Sequence, residues 1–130
     1  MTIRHKSMIT LCFCLLLAGL TVAAPGNGAW LSAVPIKEHK RINPFMGDLE
    51  AALAGSKLFQ NHCASCHGAD AQGNGRKPNL RSDRIRVAAP GDLQWLLTNG
   101  SLKNGMPSWA RLPEQQRWQI VTYLKTLPTP

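Results

Sequence analysis

Cys63-Ala64-Ser65-Cys66-His67 is the stretch on which the fold turns. Two cysteines separated by two residues and followed at once by histidine form the attachment pattern of c-type haem. The thiols add to the porphyrin vinyl groups and the adjacent imidazole reaches the iron. The two-residue gap lets a helical end present both sulfurs to one porphyrin edge, and the next position then projects its ring over the metal. Two rival chemistries also use paired cysteines. A redox dithiol expects strands and helices in alternation, and a zinc site needs a second pair of ligands. Neither pattern accompanies this motif once the first residues of the chain are set aside.

Those first residues read as an export signal. Arg4, His5 and Lys6 make a positive start, Met8 to Val22 carries no charge, and Val22-Ala23-Ala24 ends residues 1–24 on a small side chain. Cleavage as late as Ala29 is the other placement, because Pro25 is a poor neighbour for a cut after Ala24. An uncleaved anchor is the competing reading, but the stretch is short for a span of roughly 20 apolar residues. Cys12 and Cys14 leave with the signal, and neither is preceded by the small residue that a lipid-attachment signal needs. An exported domain with only Cys63 and Cys66 is no disulfide scaffold.

Losing Arg4 and Lys6 leaves 13 Lys and Arg against 7 Asp and Glu, a net of +6 that two haem propionates lower to +4. That balance steers toward acidic partners, with nucleic acid not expected for an exported chain. About 100 residues remain to build a core, so a large apolar prosthetic group is a useful part of it.

Residues 25–47 hold Pro25, Pro35 and Pro44 without helical or strand periodicity and read as an N-terminal extension. The domain itself is expected over 48–130. Asp48 suits the cap of a helix from Leu49 to His62, with Ala52, Gly55, Ser56 and Phe59 on one stripe. Gly68 to Ala89 reads as a long loop rich in glycine and charge. Asp92 to Asn99 gives a second helix stopped by Gly100. Pro113 suits the first turn of a final helix to Leu127, with Ile120, Tyr123, Leu124 and Leu127 on one face. Trp118 lies nearly opposite that face, and residues 30 to 47 are expected to fold back over it, with a docked partner as the alternative cover. No strand pattern or repeat appears, and the fold class is all-α.

From about Asp48 to Leu127 the chain resembles a class I mono-haem cytochrome c of the exported bacterial kind. The resemblance rests on Gly55 and Phe59 before the attachment motif, Pro78 eleven residues after His67, Gly105-Met106-Pro107, and Tyr123-Leu124 in the last helix. It implies a small fold with N- and C-terminal helices crossed around one covalently bound haem, and Gly55 and Phe59 meeting Ile120 and Tyr123. The Pro78 carbonyl should accept from the second ring nitrogen of His67, and Leu80 and Leu124 should pack on the porphyrin faces. Met106 is expected as the sixth iron ligand, 39 residues beyond His67 in a loop shaped by Gly105 and Pro107.

His39 and His62 are weaker candidates for the iron, and ordinary polar surface is the better reading of both. Met46 precedes the first helix and is expected to pack in the core or the extension. Arg76, Lys77, Arg81, Arg84 and Arg86 form a basic run that either pairs the propionates, docks a partner, or is simply a solvated loop.

The implied function is one-electron transfer without transformation of a substrate. Electrons would come from an exported dehydrogenase or a membrane complex and pass to an oxidase or another carrier. The expected place is the periplasm, with membrane association only if the signal segment stays on. Two alternatives remain open: a dedicated cytochrome subunit of a quinoprotein-type dehydrogenase, and an open-site haem sensor or peroxidase.

Overall fold

The computed structural model describes residues 29–130, so the expected signal segment 1–24, with Cys12 and Cys14, lies outside the described residues. Six α-helices follow one another: α1 (Ile36–His39), α2 (Leu49–His62), α3 (Ala64–His67), α4 (Asp83–Val87), α5 (Pro90–Asn99) and α6 (Glu114–Thr126). Short 3-10 turns at Ala29–Ala33 and Leu102–Asn104 complete the elements. Among the described residues no strand forms, only isolated bridges between Asn74 and Lys77 and between Ser101 and Met106.

The α2 helix starts where its cap requires. Asp48 is extended, and its carboxylate accepts the Ala51 N–H at 3.1 Å, occupying one of the free amides of the first turn. Ala51, Ala52, Gly55 and Phe59 form its buried face. That face crosses α6 so closely that a Cβ on Gly55 would lie 1.9 Å from the Gln119 carbonyl oxygen. Next to the crossing, the rings of Phe59 and Tyr123 meet at 5.4 Å between centroids, tilted by 51°. Phe59, Ile120 and Val121 are fully buried there, and α5 adds Leu93 and Leu97 to the same core.

The α6 helix is buried on a second side as well. Trp118 and Thr122, which lie away from the face toward α2, are 4% and 1% exposed. Residues 41–45 run over them. The side-chain amide of Asn43 donates to Thr122 Oγ1 at 2.9 Å and to the Trp118 carbonyl at 3.2 Å, while Arg41 stacks over the indole at 5.1 Å. The stretch read as an extension without periodicity therefore contains a 3-10 turn and a helix, and it supplies buried residues, Val34 and Asn43.

Two further departures from the sequence reading have tertiary causes. Within Gly68 to Ala89, read as loop throughout, Asp83–Val87 forms α4. Its C-terminal carbonyls are collected by Lys125 of α6, whose Nζ donates to Ile85 O at 2.9 Å, to Arg86 O at 2.7 Å and to Ala88 O. The α5 helix begins at Pro90 rather than Asp92, because Asp92 caps it from the third position by accepting the Ala89 N–H at 2.9 Å. Pro113 sits just ahead of α6 instead of inside its first turn.

Candidate haem site

Cys63 belongs to two helices at once. Its N–H closes α2 on Phe59 O at 2.8 Å, and its carbonyl accepts the His67 N–H at 2.9 Å to form α3. The motif is thus a continuation of the helix whose other face is the core. Cys63 is half-buried, Cys66 is exposed, and both thiols are free. Burial, and then the neighbouring Cys66, push the Cys63 thiol up to about 11. A thiol so reluctant to ionise is unsuited to dithiol exchange, which needs the thiolate. Among the described residues no cluster of three or more His, Cys, Asp or Glu side chains is grouped to hold a metal ion, so the zinc reading has no further ligands here.

The loop after the motif folds back under His67. Gly73 N–H donates to His67 O at 2.8 Å and Leu80 N–H to Ala71 O at 2.8 Å, which sets Pro78 beneath the imidazole. His67 Nδ1 lies 3.1 Å from the Pro78 carbonyl oxygen. Only the protonated nitrogen can donate to a carbonyl, so this contact assigns the hydrogen to Nδ1 and leaves the Nε2 lone pair open. Burial holds the imidazole pKa below its ordinary value, against the Pro78 bond that raises it and with Lys77 lowering it further. The ring is therefore neutral at pH 7, the form in which it binds a metal.

Met106 is half-buried against the core, at the end of a loop whose terminal residues exchange both backbone hydrogen bonds: Ser101 N–H to Met106 O at 2.8 Å and Met106 N–H to Ser101 O at 3.1 Å. Gly105 ahead of it is left-handed, at φ 72°. Lys77 links this loop to the motif. It acts on His67 electrostatically, and its Nζ lies 3.0 Å from where a Gly105 Cβ would sit. Leu124 is in the core, and Leu80, Trp109, Tyr123 and Leu127 pack half-buried around its edge with Cys63 and Met106. Two thiols on one helical turn, an imidazole with one nitrogen committed and one open, and a half-covered apolar rim fit a covalently attached haem.

Other candidates are placed elsewhere. His39, read as polar surface with iron ligation as the weaker alternative, is exposed and pairs through Nδ1 with Asp92, which is 4% exposed at the start of α5. His62 stacks on Trp109 at 5.4 Å between ring centroids, and Met46 is exposed rather than packed in the core. The basic run divides: Arg81 Nε donates to Pro128 O at 2.8 Å, Arg86 pairs with Asp83, and Arg76 stays exposed. Sequence reasoning passed over Trp109, which lies between His62 and Arg111, its ring centroid 4.6 Å from the Arg111 guanidinium. An aromatic three residues past Met106 was its only signal.

Two helices crossing at a glycine, with C-x-x-C-H closing the first of them, define a small c-type cytochrome. Residues 50–124 match the family described as Cytochrome C oxidase, cbb3-type, subunit III, and the chain belongs to this family of cytochrome c domains. It is 38% identical over 88 residues to cytochrome c-554(547) of Halothiobacillus neapolitanus, covering 58% of this chain and 96% of that protein. It is also 38% identical over 83 residues to the cbb3-type cytochrome c oxidase subunit CcoP of Rubrivivax gelatinosus, covering 62% of this chain. There the chain spans only 27% of the relative's length. In fold it resembles cytochrome CL of the marine methylotroph Methylophaga aminisulfidivorans, with a TM-score of 0.55 at 23% identity, over 65% of this chain and 58% of that one. Residues 50–124 are therefore a cytochrome c domain, of the kind that carries a covalently bound c-type haem.

Proposed function

We propose that this chain relays single electrons in the periplasm, from an exported dehydrogenase or a membrane complex to an oxidase or another carrier. Cys63 and Cys66 would hold the haem through thioether bonds, and His67 and Met106 would be the side chains that bind its iron. The bound haem supplies a one-electron iron couple. Pro78 fixes the tautomer and orientation of His67 and strengthens it as a ligand. The Met106 thioether favours the reduced state, which raises the potential as an acceptor of dehydrogenase electrons requires. Leu80 and Leu124 would keep water from the bound haem.

The observation that carries this reading is the C-x-x-C-H turn that closes the core helix, with His67 Nδ1 committed to the Pro78 carbonyl at 3.1 Å and its Nε2 left open. The oxidase side of the relay is supported by the likeness to CcoP. Arg76 and Lys103 are exposed, and with Lys77 they favour a partner whose docking surface is acidic. Export rests on residues 1–24, and among the described residues no helix is long and apolar enough to cross a membrane.

The test is the weak sulfur-to-iron charge-transfer band in the far red of the oxidised protein. It is expected in the native protein and absent from Met106→Ala. Its absence from the native protein, or its survival in the variant, overturns the ligand assignment and favours an open-site sensor or peroxidase.

A further inference from the structure

The chain leaves α5 through Gly100, whose φ of 71° and ψ of −171° fall in a region of backbone space that is essentially restricted to glycine. A Cβ built there would lie 2.6 Å from Pro107 C, 2.6 Å from Ser108 N and 2.8 Å from Met106 O. All three are backbone atoms of the segment that carries Met106, and none can swing aside as the tip of a side chain does. The same segment is also hydrogen-bonded to the last turn of α5. Ser108 Oγ donates to Thr98 O at 2.6 Å and Trp109 N–H to Leu97 O at 2.8 Å. With the Ser101–Met106 bridge closing the loop between, the main chain of residues 106–109 is seated on the end of one helix.

Gly105 presents a contrast. Its left-handed conformation is one that asparagine also adopts, and the only atom near a Cβ there is Lys77 Nζ, the movable end of a side chain.

We infer that Gly100 is a positioning residue for Met106: the bare backbone at Gly100 lets residues 106–108 lie against the end of α5, and that seat sets how far the methionine sulfur reaches. The inference rests on Met106 being the iron ligand. Methionine has three rotatable bonds and no fixed shape of its own, so its aim comes from where its main chain is held. A methyl group at residue 100 pushes that main chain outward and withdraws the sulfur without touching the attachment motif.

The experiment compares oxidised holoprotein of the native chain with Gly100→Ala, Gly105→Asn, Ser108→Ala and Met106→Ala. It reads the far-red band, imidazole binding to the ferric protein, and covalent haem content. Gly100→Ala should keep its covalent haem and lose most of the far-red band. It should bind imidazole about tenfold more tightly or better, because the site no longer has to be vacated first. Gly105→Asn should keep the band, with imidazole affinity changed by no more than about twofold. Ser108→Ala, which removes the hydrogen bond to Thr98 O, should shift both readouts in the same direction as Gly100→Ala but less. An unchanged band and affinity in Gly100→Ala, with the band lost in Met106→Ala, overturn the positioning role alone. If Gly100→Ala accumulates no haem protein, Ser108→Ala decides, and native-like values in both readouts overturn the role. A band that survives in Met106→Ala overturns the ligand reading itself.

Discussion

Replacing Gly55 with alanine tests the helix crossing on which the fold depends. The added methyl would lie 1.9 Å from Gln119 O, 2.5 Å from Gln119 C and 3.0 Å from Tyr123 Cβ, and the first two are backbone of α6. Ordinary contact needs about 3.4 Å or more, so α2 and α6 must part by roughly 1.5 Å at the crossing. Phe59 and Tyr123, whose rings meet just beyond it, would move apart with the helices. Overpacking a filled core costs about 1–3 kcal/mol, and the upper end applies because neither partner is a side chain that can turn away. Against this, alanine favours the helix by up to about 1 kcal/mol over glycine. The net is a loss of about 2 kcal/mol, which in a domain of this size lowers Tm by roughly 10 °C. Thermal unfolding of the holoprotein followed by far-ultraviolet circular dichroism measures it. An unchanged or raised Tm would mean that helix propensity outweighs the contact, and would refute the argument that the crossing needs a bare backbone.

The carboxyl of Glu114 is held below its ordinary value of 4.5, first by the Trp118 indole N–H at 3.1 Å and then by Arg41. Its contribution to stability is thus present above that value and fades as pH falls below it through the lowered pKa, since the unfolded chain takes up the proton first. Denaturation midpoints measured between about pH 5 and pH 3 should fall less steeply in Glu114→Gln than in the native protein, and parallel curves would contradict the pairing. Gln94 is fully buried and, among the described residues, neither atom of its side-chain amide has a hydrogen-bond partner. Gln94→Leu should therefore raise stability by about 1 kcal/mol in guanidinium unfolding, and a fall would show that the amide is satisfied in solution.

What could be read from residue order alone was whatever is written locally. The bounds of α2 were legible because Asp48 and the Ala52–Phe59 stripe lie within a few residues of what they determine. The cover over Trp118 was legible for a similar reason: helical geometry places that indole opposite the crossing face, and a bare tryptophan is costly. The α4 helix was not, because its ending depends on Lys125, which lies about forty residues further along the chain. Nor was the pairing of His39 with Asp92, separated by 53 residues and marked by no motif. In the candidate site, the order of His67, Pro78 and Met106 could be read. The placement of Lys77 between two loops, and the role of Gly100 as more than a helix stop, required the folded backbone.

Residues 41–45 change the meaning of the chain's beginning. Asn43 is 3% exposed and satisfies the hydroxyl and carbonyl of a helix that follows it by more than seventy residues. A protease cut between His39 and Asn43 would therefore wet one side of α6, whose other side carries the α2 crossing. Residues 41–45 thus pack into the same body as the attachment helix, and their loss should register as unfolding rather than as the trimming of a tail.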